Sequence, residues 1–167
     1  KILPIKSVGV QGDARTYRHP FGLELHKDSG HDWESLGKIA TDITNRFSLI
    51  NRVLLMLAPQ GILEMNAKPN YLTPARVELL QKVDYRVNEF IKYHKMYSEI
   101  WQFPTVLIPL SLNNQNGESI VLRPICSDEA MTASFYQMKW DWANELTQSI
   151  KAIKGVDGVF YDLTNKP

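Results

Sequence analysis

At 167 residues, with 44% hydrophobic and 22% charged residues, the chain is long enough for one well-buried domain or for two small units that share a core. Nineteen basic against eighteen acidic residues leave a net charge of +1, which excludes a global field for nucleic acid or an anionic membrane, so any anion must be caught locally. No apolar run approaches the ~20 residues of a membrane span, and the single cysteine, Cys126, excludes an internal disulfide and a cysteine-based zinc site, which points to a reducing compartment and to the cytoplasm. The start at Lys1 without methionine and the end on Asn-Lys-Pro give the expectation of a piece of a longer polypeptide.

The first element is a strand around Lys6 to Gly12. Val8 and Val10 share one face, while Gly9 and Gly12 leave room for close backbone approach or for positive φ. Asp13 and Arg15 follow two residues apart, so in extended chain both leave from one side, either as a donor and acceptor pair for a polar ligand or as a surface contact. After a turn at His19-Pro20, Phe21 to His26 alternates as a second strand hairpinned to the first. Asp32 reads as an N-cap for an amphipathic helix with Trp33, Leu36, Ile39, Ala40, Ile43 and Phe47 on one stripe. Asn51 to Ala58 is a nearly continuous apolar run stopped by Pro59, as in a strand buried on both faces. The order so far is β-β-α-β.

Residues 60–72 are the only long irregular segment and are expected to be mobile. Thr73-Pro74 then caps a helix whose stripe includes Val83, Val87 and Phe90 and which runs to about Ser98. The β-β-α-β order returns from Pro104. Pro104 to Leu112 is a strand run, Asn116-Gly117 a type I′ hairpin signal, and Ser119 to Cys126 the returning strand. Phe135, Met138, Trp142, Ala143, Leu146, Ile150 and Ile153 form a helix face, Gly155 stops the helix, and Val159 to Leu163 closes the set. The fold class is therefore α+β, with two β-β-α-β lobes, 1–59 and 104–167, joined through 60–103 by an irregular segment and a long helix.

Other chemistry is weakly signalled. Gly9-Val10-Gln11-Gly12 satisfies the GxxG of a KH loop but lies in a strand, which with the net charge argues against RNA binding. His19, His26, His31 and His94 lack metal-ligand spacing, so no metal site is expected. Trp142 belongs to its helix stripe and reads as core, whereas Trp140 falls off it and reads as a contact for another domain or subunit. Lys151 and Lys154 complement a helix C-terminus.

The opening wording carries more. Lys6-Ser7-Val8-Gly9-Val10-Gln11-Gly12-Asp13-Ala14-Arg15-Thr16-Tyr17 resembles the signature that opens the C-terminal domain of the glutamine-hydrolysing GMP synthase family, enzymes that aminate xanthosine monophosphate (XMP). Asp32 to Leu36, Asn51-Arg52-Val53, Leu72-Thr73-Pro74, Gln102-Phe103-Pro104, Leu107 to Leu110 and Ser127 to Thr132 resemble successive parts of the long, eukaryotic-type version of that domain. Tyr161 to Pro167 resembles its last motif, where the family has serine in place of Asn165.

The resemblance implies a domain that closes over the XMP site of a neighbouring ATP-pyrophosphatase domain, with Asp13, Arg15, Gln102 and Lys166 at ligand-contacting positions. Their chemistry suits a nucleotide, since lysine and arginine neutralise a phosphate and Gln102 offers donors and an acceptor to a purine or ribose edge. It also implies ATP, Mg and a glutaminase domain in the whole enzyme, a ligase of purine and GMP biosynthesis, and leaves a homodimer open. In this chain itself no catalytic residue and no cofactor is expected, because neither an ATP-binding glycine-rich loop nor a glutaminase nucleophile elbow is found. The piece is therefore expected to be inactive alone, and its site incomplete, because the family tail continues past the position of Pro167 with a further contacting glutamate. The rival is an assembly module without direct substrate contact.

Overall fold

The computed structural model describes residues 1–11, 14–25, 32–61, 64–113, 115–127 and 133–165. In its first half, β1 (Ser7–Gln11) and β2 (Ala14–Leu23) form an antiparallel hairpin, α1 (Trp33–Arg46) crosses over, and β3 (Ile50–Ala58) lies parallel to β2. Asp32 caps α1 as its spacing predicts, accepting from the backbone N–H groups of Glu34 and Ser35 at 3.1 Å each. The hydroxyl of Ser35 and those two amides hold the Asp32 carboxyl below its ordinary pKa.

The segment after β3 is less irregular than its composition suggests. It contains β4 (Met65–Ala67), which pairs with β6 (Leu110–Leu112). Between them, α2 (Pro74–Tyr93) starts at the Thr73 cap and ends earlier than predicted, because Lys95 turns left-handed (φ 56°) and only a 3₁₀ turn, Met96–Ser98, follows. The strand run from Pro104 is broken at Pro109 into β5 (Thr105–Ile108) and β6, and the return is broken at Pro124 into β7 (Glu118–Leu122) and β8 (Ile125–Cys126). Pro lacks the N–H a ladder needs, so the chain changes partner there. β8 pairs with β9 (Ser134–Phe135), then come α3 (Trp140–Lys151) and β10 (Val156–Asp162), which lies parallel to β7.

Six of these strands make one sheet in the order β1-β2-β3-β10-β7-β5, with β3 and β10 antiparallel at its centre. Alternation along the central strands feeds two cores. Val53, Leu55, Ile120, Leu122, Val159 and Tyr161 face the three helices, while Leu54, Met56, Val121 and Phe160 pack under Leu3, Leu110 and Leu112 on the other face. α2 lies beside α3 over β5.

Three local expectations are corrected. Phe135 and Met138 are buried at helical spacing but precede the helix, since Phe135 belongs to β9 and the Met138 carbonyl accepts the Trp33 indole N–H at 2.7 Å. Trp140 does not stand off for a partner; it stacks on Trp33 with centroids 4.2 Å apart and planes 4° from parallel. The stripe of α1 is narrower than predicted, with Ile39 and Phe47 exposed.

The hairpin signal Asn116-Gly117 is also resolved differently. A type I′ turn needs positive φ at both residues, yet among the described residues the left-handed positions nearby are Asn113 (φ 51°) and Gly155 (φ 99°). Gly117 is small for another reason. A Cβ there would lie 2.2 Å from Asp157 Oδ1 and 2.5 Å from the Gly155 carbonyl oxygen, and the Gly117 N–H already donates to Asp157 Oδ2 at 2.9 Å. Because one obstacle is backbone and the other a bonded carboxylate, Gly117→Ala should lower stability by about 1–3 kcal/mol. A urea midpoint equal to that of the parent would refute this contact.

Candidate functional site

The sheet topology gathers several chain ends at one place. β7 and β10 end at Leu122 and Asp162, β3 and β5 run against them and so begin there, and β2 joins β3 there at His19. The β1–β2 hairpin, whose residues before His19 pair only with each other, projects from this end. Arg15 stands on it opposite Val10, with its side chain exposed. Gln102, also exposed, is bridged to Ile125 just before β5 begins, through the Ile125 N–H to the Gln102 carbonyl at 2.8 Å. Two of the sequence-predicted positions thus sit at the same sheet end, on opposite flanks. Asp13 and Lys166 lie outside the described residues, as do His26 and His31.

The hairpin is tied down through β3. Asn51 is buried, donates from Nδ2 to the Ser7 carbonyl at 2.7 Å and accepts the Ser7 hydroxyl at 2.7 Å. A Cβ on Gly9 would come within 2.9 Å of the Asn51 side chain, so the first glycine of the opening stretch serves close approach. Arg52 adds a clamp by donating from Nε and Nη2 to the Val8 carbonyl at 3.1 and 2.8 Å.

Between the two flanks runs a feature that sequence reasoning missed. Arg52 of β3, Asp162 of β10 and Arg123 just after β7 form a transverse row on the face opposite the helices. Asp162 is 3% exposed and its Oδ2 accepts from Arg52 Nη1 at 2.9 Å and from Arg123 Nε at 2.8 Å. Its Oδ1 accepts the Thr164 N–H at 3.0 Å, and the Thr164 hydroxyl accepts the Val53 N–H at 2.9 Å, so the same carboxylate fixes the turn that follows β10. Burial pulls the Arg52 guanidinium below its ordinary pKa; Asp162 opposes that pull and Arg123 adds to it. The signal that could have found the row is an aspartate inside Val159-Phe160-Tyr161-Asp162-Leu163, because a carboxylate in a strand buried on both faces requires a cation.

On the helix face, an open cleft of about 860 Å³ lies between α1 and the β8–β9 ribbon, with Glu34, Lys38, Glu99, Gln137 and Asn165 among its walls. Asn165 is held there by the Phe135 N–H, which donates to its Oδ1 at 3.2 Å. The Tyr136 hydroxyl donates to Glu99, and burial first, then that bond, push its pKa above the ordinary phenol value, so it remains a proton donor. Of the other histidines, His19 Nδ1 lies 3.0 Å from the Leu3 carbonyl, and His94 packs between Phe90 and Trp142 with Nε2 3.2 Å from Glu145. Neither sits in a metal-binding cluster among the described residues. Among the described residues no helix is long and apolar enough to cross a membrane.

Comparison with known proteins agrees with the wording of the opening and closing motifs. Residues 89–167 match the family described as GMP synthase C terminal domain. Over 169 residues that take in the whole chain, the sequence is 40% identical to a probable glutamine-hydrolysing GMP synthase of Leptospira interrogans. It is 29% identical over 184 residues, or 99% of the chain, to the glutamine-hydrolysing GMP synthase of Dictyostelium discoideum. Against that of Phenylobacterium zucineum the identity is 33% over 106 residues, or 59% of the chain. The chain spans 27%, 26% and 20% of the lengths of these relatives. With a match that begins at its first strand and closes on the motif after β10, the chain belongs to the family of GMP synthase C-terminal domains.

Proposed function

We propose that the chain serves as the C-terminal domain of a glutamine-hydrolysing GMP synthase in the cytoplasm, where it contributes side chains to XMP while ATP, Mg and glutamine are handled by pyrophosphatase and glutaminase domains of the same polypeptide. The observation that carries this reading is the placing of Arg15 and Gln102 at one sheet end, with the turn leading to Lys166 fixed beside them by Asp162 and Thr164. Asp13, Arg15, Gln102 and Lys166 form the proposed contact set, in which the cations meet the phosphate and Gln102 the purine or ribose edge.

The strand order favours a second role beside it. A hairpin, a crossover helix and a third parallel strand occur on each side of the central β3–β10 seam. This supports 1–59 and 104–167 as two related lobes, with 60–103 joining them, in a module that organises assembly of the enzyme, including a homodimer. Under assembly alone, an exposed Arg15 would have no effect on XMP.

Arg15 separates the two roles. In the enzyme that carries this domain, Arg15→Ala should raise the KM for XMP about ten- to hundredfold, and Arg15→Lys less, since a shielded charge-assisted fork contributes roughly 1.5–3 kcal/mol. The melting temperature should hold, because an exposed arginine adds at most about 1 kcal/mol to the fold. A lowered melting temperature with an unchanged KM would leave only the assembly role.

A further inference from the structure

Among the described residues, the Arg52–Asp162–Arg123 row holds two guanidinium cations against one carboxylate, which leaves an excess positive charge there in a place where both arginine side chains are about four-fifths buried (19% and 20% exposed). The two arginines are used differently. Arg52 spends Nη1 on Asp162 and both Nε and Nη2 on the Val8 carbonyl, so its donors are engaged in holding the hairpin. Arg123 is held by Asp162 at Nε alone, and among the described residues no acceptor meets its Nη1 or Nη2. A guanidinium fixed on one edge, with its outer fork uncommitted and its site already carrying surplus charge, has the donor geometry for two oxygens of an anion.

The placing of the fork ties it to the site described above. Arg123 lies opposite Pro104, to whose carbonyl its own N–H donates at 3.1 Å. The β5–β7 register continues through the Gln102–Ile125 bridge, so Gln102 stands two steps from Pro104. That separates Gln102 from Arg123 by about 7 Å along the strand and about 5 Å across, within the span of one nucleotide.

We propose that Arg123 is an oxyanion-binding residue of this sheet end, its Nη fork taking the phosphate of the nucleotide whose purine or ribose edge Gln102 meets, with Asp162 as the positioning residue that aims it. This rests on the nucleotide reading of the site and adds Arg123 and Asp162 to it. The surplus charge then has its counter-ion in the ligand, and Arg52 supplies rigidity.

The test uses the enzyme that carries this domain, with Arg123→Lys as the main variant because it keeps the charge beside Asp162 and loses the fork. KM values for XMP, ATP and glutamine are measured with the melting temperature, and Arg15→Ala runs alongside. The expected result is a rise in the XMP KM of about tenfold or more, with the ATP and glutamine constants within roughly twofold of the parent and the melting temperature held. Asp162→Asn, which keeps the side-chain shape and one acceptor, should raise the XMP KM in the same direction. An unchanged XMP KM in Arg123→Lys, or an equal rise in all three constants, overturns the proposal and leaves Arg123 as a neutralising partner of Asp162. If Arg15→Ala raises the XMP KM while Arg123→Lys does not, only the role of Arg123 fails; if both leave it unchanged, the nucleotide reading fails as well.

Discussion

Asp162→Ala should destabilise the domain by about 3–5 kcal/mol, the loss typical of leaving a buried charge without its partner. Asp162 is nearly inaccessible and three donors converge on it, two of them guanidinium groups that are themselves mostly buried. Truncation leaves Arg52 and Arg123 facing each other without a counter-ion and frees the turn at Thr164. In a domain of this size that corresponds to a melting temperature lower by about 6–20 °C. Asp162→Asn should cost less, since it keeps an acceptor for the Thr164 N–H. Arg123→Met should also cost distinctly less, because it leaves a one-to-one pair between Arg52 and Asp162. A melting temperature for Asp162→Ala within about 2 °C of the parent would mean that water already compensates the row.

Phe160→Ala should cost about 3–5 kcal/mol, and the loss should be confined at first to one layer. Phe160 is fully buried on the face away from the helices, among Leu54, Met56, Val121, Leu110 and Leu112. Its cover is thin: the β4–β6 ribbon has three-residue strands, and the N-terminal segment is held by Leu3 N–H to the Pro20 carbonyl at 2.9 Å. A two-stranded ribbon is marginal without an apolar face to sit on. Hydrogen exchange should therefore speed up in β4, β6 and around Leu3 before it does in α1 or α3. Leu146→Ala, in the helix-side core, should show the reverse order. Equal acceleration on both faces for both variants would show that the two cores unfold as one.

The elements legible in the sequence were those whose signal is set by their own residues. β3 and β10 read as continuous apolar runs because both their faces are covered, and Asp32 and Thr73 announced their helices through side-chain oxygens that accept from the first turn. The misreadings arose where a distant partner decided. Phe135 and Met138 fall at helical spacing, yet the Tyr136 N–H donates to the Pro124 carbonyl and the Met138 carbonyl is taken by Trp33, which holds that stretch extended. Trp140 lies off its own helix stripe because its partner is the ring of Trp33. Arg15 and Gln102 came from the wording of motifs, since nothing in periodicity marks an exposed arginine or glutamine as a ligand contact. Arg52 and Arg123 were hidden for the opposite reason: each reads as an ordinary strand residue until Asp162 is placed between them.

The strand order of the sheet is the same read from either edge, but the chemistry at its two ends is not. Exchanging the halves would carry the start of β3 onto the start of β10, and so the end with Arg52, Arg123 and Asp162 onto the end with Gly117, Glu118 and Asp157. At that second end the carboxylates are already answered: Arg76 meets Glu118 at 2.9 Å, Asp157 takes the Gly117 N–H, and Lys151 donates to the carbonyls of Val156 and Asp157. Two identical copies arranged in this way would offer every surface twice, whereas a single chain offers each once. The consequence is a stoichiometry: under the reading proposed above, a ligand drawn to uncommitted positive charge meets one receptive end among the described residues of each chain, built from both halves, and the opposite end is left to hold the sheet together.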